Sequence, residues 1–199
     1  METCKMTVAE FEGLDVDGKV EALSDEGCPV GVIEAGVRDR NAYVRRAAAG
    51  HPGAPVDVIE VGAGDGNMWV RWAAVRNPSA PASVIEAGAR DGDVLVREAA
   101  AGNPNAPVGV IEAGAGDGNM WVRGAAVGNP NAPVGVIEAG ARDEAVYVRR
   151  AAAGNLGITE AAAEQLLHDS DIEVVRALAH NPAVPDRIRV VAGLRVAGK

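Results

Sequence analysis

The residues of this chain that could do chemistry recur in columns and do not gather in one cluster. Asp returns every 26 residues at Asp39, Asp65, Asp91, Asp117, Asp143 and Asp169. An arginine follows at Arg45, Arg71, Arg97, Arg123 and Arg149, and one step late at Arg176. Glu34, Glu60, Glu86, Glu112, Glu138 and Glu164 form a third column. A fourth holds Asn77, Asn103, Asn129, Asn155 and Asn181, with His51 in its first place. Carboxylates and guanidiniums at fixed spacing can pair with each other, bond to open carbonyls or bind phosphate. Catalysis needs more. His51, His168 and His180 share no column, and no nucleophile stands beside a base. There is no His/Cys/Asp metal spacing. The G-A-G-D-G runs at Gly62 and Gly114 follow no strand, so they fail the context test for a dinucleotide loop. The expectation is no catalytic residue, no metal, no cofactor and no enzyme activity.

One column is aromatic. Tyr43, Trp69, Leu95, Trp121 and Tyr147 each stand just before the Val-Arg pair, and Trp72 widens the column in one repeat. Each sits about 100° around a helix from the core valine. Two readings follow. The rings plug gaps between thin alanine layers, or they form a partner-binding strip, since Trp and Tyr are common interface anchors.

The elements that carry these columns follow from the punctuation. Asp117 to Asn129 reads DGNMWVRGAAVGN. Asp117 or Asn119 can cap a helix, and Val122 and Ala126 then share a face. Asn-Pro ends it, with Asn suited to a left-handed turn and Pro unable to continue. The helix has about 9–11 residues. A second proline column runs through Pro29, Pro55, Pro81, Pro107, Pro133 and Pro185. It opens a second helix at its first position, and a glycine closes it after about two turns, short enough to be partly 3₁₀. No single repeat can bury its own apolar face, so the repeats must stack. The segments GAGDGNMWVRWAAV and GAGDGNMWVRGAAV lie 52 residues apart, which points to duplication of a two-repeat block. The expected organisation is an N-terminal segment 1–14 and one repeat domain 15–199. It has a degenerate cap 15–38, repeats from 39, 65, 91, 117 and 143, and a C-terminal cap from 169.

Composition narrows the class. Charged residues make up 24% and hydrophobic residues 48%, mostly Ala and Val, which fits neither disorder nor a membrane protein. The net charge of −9 repels phosphate, so nucleic acid and anionic membranes are disfavoured as partners. Cys4 and Cys28 are too few for a disulfide framework and suit a reducing compartment. The N-terminus shows no signal peptide, and no apolar run approaches the ~20 residues of a transmembrane span. A cytoplasmic location is expected.

The run D-x4-V-R-x-A-A-x-x-N-P-x-x-P-x-x-V-I-E resembles the bacterial leucine-rich repeat variant family over roughly residues 15–192. The resemblance implies an all-α, right-handed superhelical solenoid of alternating short α- and 3₁₀-helices without β-sheet. It implies no defined activity. Leucines of the family's second helix are Val, Ile and Ala-Gly here, and its Thr before the second Pro is Ala54, Ala80, Ala106 and Ala132. Some members hold an iron–sulfur cluster on an N-terminal cysteine segment, but such a cluster needs four thiolates and Cys4 and Cys28 cannot supply them. Other repeat classes fit less well. HEAT-like units need about 40 residues, and true leucine-rich repeats need an L-x-L strand.

These features lead to an expected function: a protein-interaction scaffold presenting the aromatic column to another protein. The arginine column is read as structural, the asparagine column as internal and the glutamate column as a solvated face. One alternative is an acidic nucleic-acid mimic built on the glutamates, which sequesters a DNA-binding protein. Another is an enzyme on a helical-repeat scaffold.

Overall fold

The structure is a computed structural model that describes residues 6–198; Cys4 lies outside the described residues. These residues form fifteen helices and no strand. At the N-terminal end α1 (Val8–Glu12) and α2 (Val16–Ala22) precede the regular repeats, and α1 buries Phe11. Short helices then alternate with nine-residue ones. The short series is α3 (Val30–Gly36), α5 (Val56–Ala63), α7 (Ala82–Gly88), α9 (Val108–Ala115), α11 (Val134–Gly140) and α13 (Glu160–Leu166). The long series is α4 (Ala42–Gly50), α6 (Met68–Arg76), α8 (Val94–Gly102), α10 (Met120–Gly128), α12 (Val146–Gly154) and α14 (Ile172–His180). A longer helix, α15 (Asp186–Ala197), closes the C-terminal end.

Five of the six long helices start on a relay of two side chains. Asp65 Oδ1 accepts from the Asn67 amide, and Asn67 Oδ1 accepts from the Trp69 amide. Asn67 is therefore the N-cap and Asp65 caps the cap; Asn41, Asp93, Asn119 and Asp171 repeat the pattern. Ala145 breaks it, and α12 has no side-chain cap. The C-termini differ from expectation. Asn77 has φ −57° and ψ 132°, and no described residue has positive φ. The following proline pushes this residue into extended backbone, which ends the helix without a left-handed turn.

The second proline column also lies one position earlier than the spacing suggests. Pro81 is the N-cap of α7, where its carbonyl accepts from Val84 and Ile85. Its fixed φ presets the entry, and it offers no donor that would need a partner. The short helices are α-helical in their hydrogen bonding, as in Ala89 N–H to Ile85 O. Tighter 3₁₀ bonds occur at their ends, as in Val84 N–H to Pro81 O and Arg90 N–H to Ala87 O.

The contacts close into two compact units, one ending at Asn105 and the other beginning at Ala106. In the first, α4 packs on α6, α6 on α8, and α5 on α7. In the second, α10 packs on α12, α12 on α14, and α9 on α11. Long helices thus stack on long ones and short on short, the layering of a solenoid. The core is correspondingly thin. Val70 and Val96 with Ile59 and Ile85 are fully buried in the first unit, as are Val122, Val148, Ile111 and Ile137 in the second. Alanines such as Ala74 and Ala152 fill the layers between. Fully burying one Val or Ile contributes about 1.5–3 kcal/mol, so stability must accumulate repeat by repeat. Glycine at the end of the short helix allows the close approach. A β-carbon on Gly88 would come within 2.7 Å of Val75, and one on Gly140 within 2.6 Å of Val127.

Candidate binding surface

The arginine column is consumed in holding repeats together. Arg71 donates from Nε and Nη2 to both oxygens of Asp91, twenty residues ahead, at 2.7 and 2.9 Å. Its Nη1 donates to the carbonyls of Asp65 and Gly66 in its own repeat. Arg45 with Asp65, Arg123 with Asp143 and Arg149 with Asp169 repeat this bidentate geometry. Arg97 makes the same carbonyl bonds, to Asp91 and Gly92. The arginine hydrogen bonds hold Asp65, Asp91 and Asp143 below the usual carboxylate range, against the upward push of partial burial. A guanidinium with its fork occupied is not offering itself to phosphate.

Arg176 does not belong to this ladder. The one-residue slip puts buried Val175 in the column, and Arg176 pairs with Glu173 on its own exposed helix face. Its place is taken by Arg195 on α15, which donates to the Leu167 and Asp169 carbonyls. No repeat mark in the sequence flags Arg195. Lys19 was legible in principle: it bonds Asp39 at 2.7 Å, twenty residues ahead, the spacing that joins every later pair.

The asparagine column is internal. Asn77 donates from Nδ2 to the Ala49 and His51 carbonyls and accepts the Ser79 amide at Oδ1. Asn155 and Asn181 do the same one repeat back in the second unit, and Asn103 reaches Val75 O. Asn129 is buried and accepts the Asn131 amide. His51 fills the first place with an imidazole: Nδ1 accepts the Gly53 amide and Nε2 meets Asp25 O at 3.0 Å.

The aromatic column faces outward. Tyr43 is 68% exposed, Trp69 47%, Trp121 44% and Leu95 36%; Trp72 and Tyr147 are half-buried. The rings pair locally. In the first unit Trp69 meets Trp72 edge-on at 6.2 Å, and the Arg76 guanidinium stands 4.6 Å over the Trp72 ring. In the second, Trp121 meets Tyr147 at 4.5 Å, with Arg150 over Tyr147 at 5.7 Å. Each unit therefore carries a ring pair edged by a cation, a contact worth about 0.5–1 kcal/mol at an exposed site. Tyr43 borders an apolar depression with Val16 and Val20.

A second exposed apolar series went unread in the sequence. Val30 and Val56 in the first unit, and Val108 and Val134 in the second, follow the helix-opening proline and point outward. The spacing contained the signal, because Val58 and Ile59 two and three positions on already form the core face. The glutamates Glu60, Glu86, Glu112 and Glu164 are exposed, while Glu34 and Glu138 are half-buried, and Glu138 accepts from Thr159. Among the described residues no cluster of His, Cys, Asp and Glu could hold a metal ion, and no helix is long and apolar enough to cross a membrane.

No protein-family model matches the chain, and no curated protein is similar to it at a significant level. A solved structure described as a leucine-rich repeat variant with a novel repetitive protein structural motif is similar, with a TM-score of 0.57 and 21% identity. The match covers 97% of this chain and 88% of that one. At this identity the likeness speaks to the fold.

Proposed function

The chain has the fold of a leucine-rich repeat variant protein, and from that premise we propose that it is a non-enzymatic scaffold that binds another protein through the aromatic column. The observation that carries this reading is the exposure of Trp69 and Trp121, large rings held at identical places in the duplicated block. Exposed aromatic surface costs solubility and is usually kept for contact. The Arg, Asp and Asn columns are taken up in bonds that hold the repeats, which leaves the rings, the glutamates and a few arginines as the accessible chemistry. The two cysteines suit a reducing cytoplasm.

The test is selection of binding peptides from a random display library, followed by affinity measurement on Trp69→Ala and Trp121→Ala proteins of unchanged helicity. A hot-spot ring truncation costs about 2 kcal/mol or more, so affinity should fall roughly thirtyfold in at least one variant. Selected peptides that bind both variants as tightly as the parent would remove the aromatic column from the function.

A further inference from the structure

We propose that the groove between α4 and α6 in the first unit takes a short acidic segment of a partner protein, with one apolar side chain beside its carboxylate. This rests on the protein-scaffold reading and specifies its partner's chemistry.

The groove has a volume of about 290 Å³. Ala47, Gly50 and Ala73 make its floor, and Arg46, Trp72 and Arg76 stand around it. The floor is low because the helices run close: a β-carbon on Gly50 would meet that of Ala73 at 3.3 Å. At the lower end of the ~300–1,000 Å³ range of ligand sites, this space suits one or two side chains.

Its charge is opposite to that of the chain, which carries −9 overall. The column arginines of this unit are occupied: Arg45 and Arg71 by carboxylates, Arg97 by backbone carbonyls. Arg38 and Arg90 are bound to the Glu34 and Glu86 carbonyls. Arg46 and Arg76 differ. Both are exposed, and neither makes an ion pair with a carboxylate among the described residues. Arg76 lies over the Trp72 ring, and the charge of Glu98, on α8, acts on it from a distance. Two guanidiniums without a carboxylate partner, Arg46 from α4 and Arg76 from α6, line the groove with the indole and match a carboxylate, and the ring and alanine floor match the apolar group next to it. A polyanion fits poorly, because the chain's net charge of −9 repels a long phosphate chain more than a single carboxylate placed between two cations.

The experiment uses the full chain and three probes: a capped pentapeptide with glutamates flanking one phenylalanine, its lysine counterpart, and decathymidylate. Binding is read by calorimetry and by Trp fluorescence. The acidic peptide should bind, and the lysine peptide should not. Arg46→Glu, Arg76→Glu and Trp72→Leu should each weaken binding at least tenfold, with unchanged helicity. Arg187→Glu, the same charge change in the second unit, should leave affinity within twofold. Glu98→Gln should tighten binding about twofold or more by removing a carboxylate whose charge acts on Arg76. Equal binding of the two peptides, or indifference to Arg46→Glu and Arg76→Glu together, overturns the proposal. So does decathymidylate binding that these variants abolish, which would assign the groove to nucleic acid. Display-selected peptides that need Trp69 or Trp121 but ignore Arg46 and Arg76 would sink this groove and spare the scaffold reading. Loss of dependence on all four would sink both.

Discussion

Tyr147 lies directly on the backbone of Gly124, so close that a β-carbon at Gly124 would stand 2.2 Å from the ring. The two residues belong to successive long helices, α12 and α10. The place of Gly124 in its repeat is that of Trp72 two repeats earlier. One unit fills this place with a ring of its own helix, and the other vacates it for a ring of the next. Both routes produce an aromatic pair, Trp69 with Trp72 and Trp121 with Tyr147.

Gly124→Ala should therefore destabilise the protein even though alanine favours helix by up to about 1 kcal/mol. Displacing the ring costs about 1–3 kcal/mol, the range for overpacked sites. In a Tyr147→Ala background the same change should become neutral or stabilising. A double-mutant cycle by urea unfolding measures the coupling; additive effects would mean that the ring is not held on Gly124.

Arg71→Ala removes two bonds to Asp91 and two to backbone carbonyls, and leaves a mostly buried carboxylate without its cation. The expected loss is about 2–3 kcal/mol. Arg176→Ala, outside the ladder and on an exposed face, should cost less than about 0.5 kcal/mol. Equal losses in denaturant titration would show that the bidentate geometry contributes nothing special.

The same carboxylates set the response to acid. Asp65, Asp91 and Asp143 are held below their ordinary pKa, chiefly by their arginines. A lowered folded-state pKa stabilises the fold fully above the unfolded value near 3.9, and that contribution disappears as pH falls through the folded-state value. Stability should be level above about pH 5 and decline steeply below about pH 4. Asp91→Asn should flatten that decline while lowering stability at pH 7. A variant with the parent's acid profile would mean that the ladder is not what titrates.

How far the sequence could be read depended on whether a residue answers to its own repeat or to its neighbour. The repeat length, the two helices per repeat and the valine and isoleucine core are local and periodic, and all were legible. Asn77 is different. Its neighbouring Pro78 and its tolerance of turns suggested a left-handed cap, yet its side chain bonds one repeat back and its backbone is extended. Arg195 could not be found by spacing, because it lies on a helix outside the repeat pattern and is brought to the Asp169 carbonyl only by folding. For the binding surface, the column of rings was visible in the sequence. Two of the cations beside them could have been read as well, since Arg76 follows Trp72 by four residues and Arg150 follows Tyr147 by three on the same helix, whereas Arg46 is brought to Trp72 only by the packing of α4 on α6.

His51 offers the sharpest test of the internal column. The Gly53 amide donates to Nδ1, so Nε2 must carry the proton that goes to Asp25 O. A neutral imidazole thus reproduces the donor and acceptor that Asn77 presents with its amide in the next repeat. His51→Asn should preserve both bonds and keep stability within about 0.5 kcal/mol of the parent, the range of a substitution that loses no partner. His51→Ala leaves a carbonyl and an amide without partners where the side chain is only 3% exposed, and should cost about 1–3 kcal/mol. Hydrogen exchange at Gly53 gives an independent readout: protection should survive in the Asn variant and fall in the Ala variant. If the alanine protein is as stable and as protected as the asparagine protein, the column fills space and its hydrogen bonds do not hold the turn.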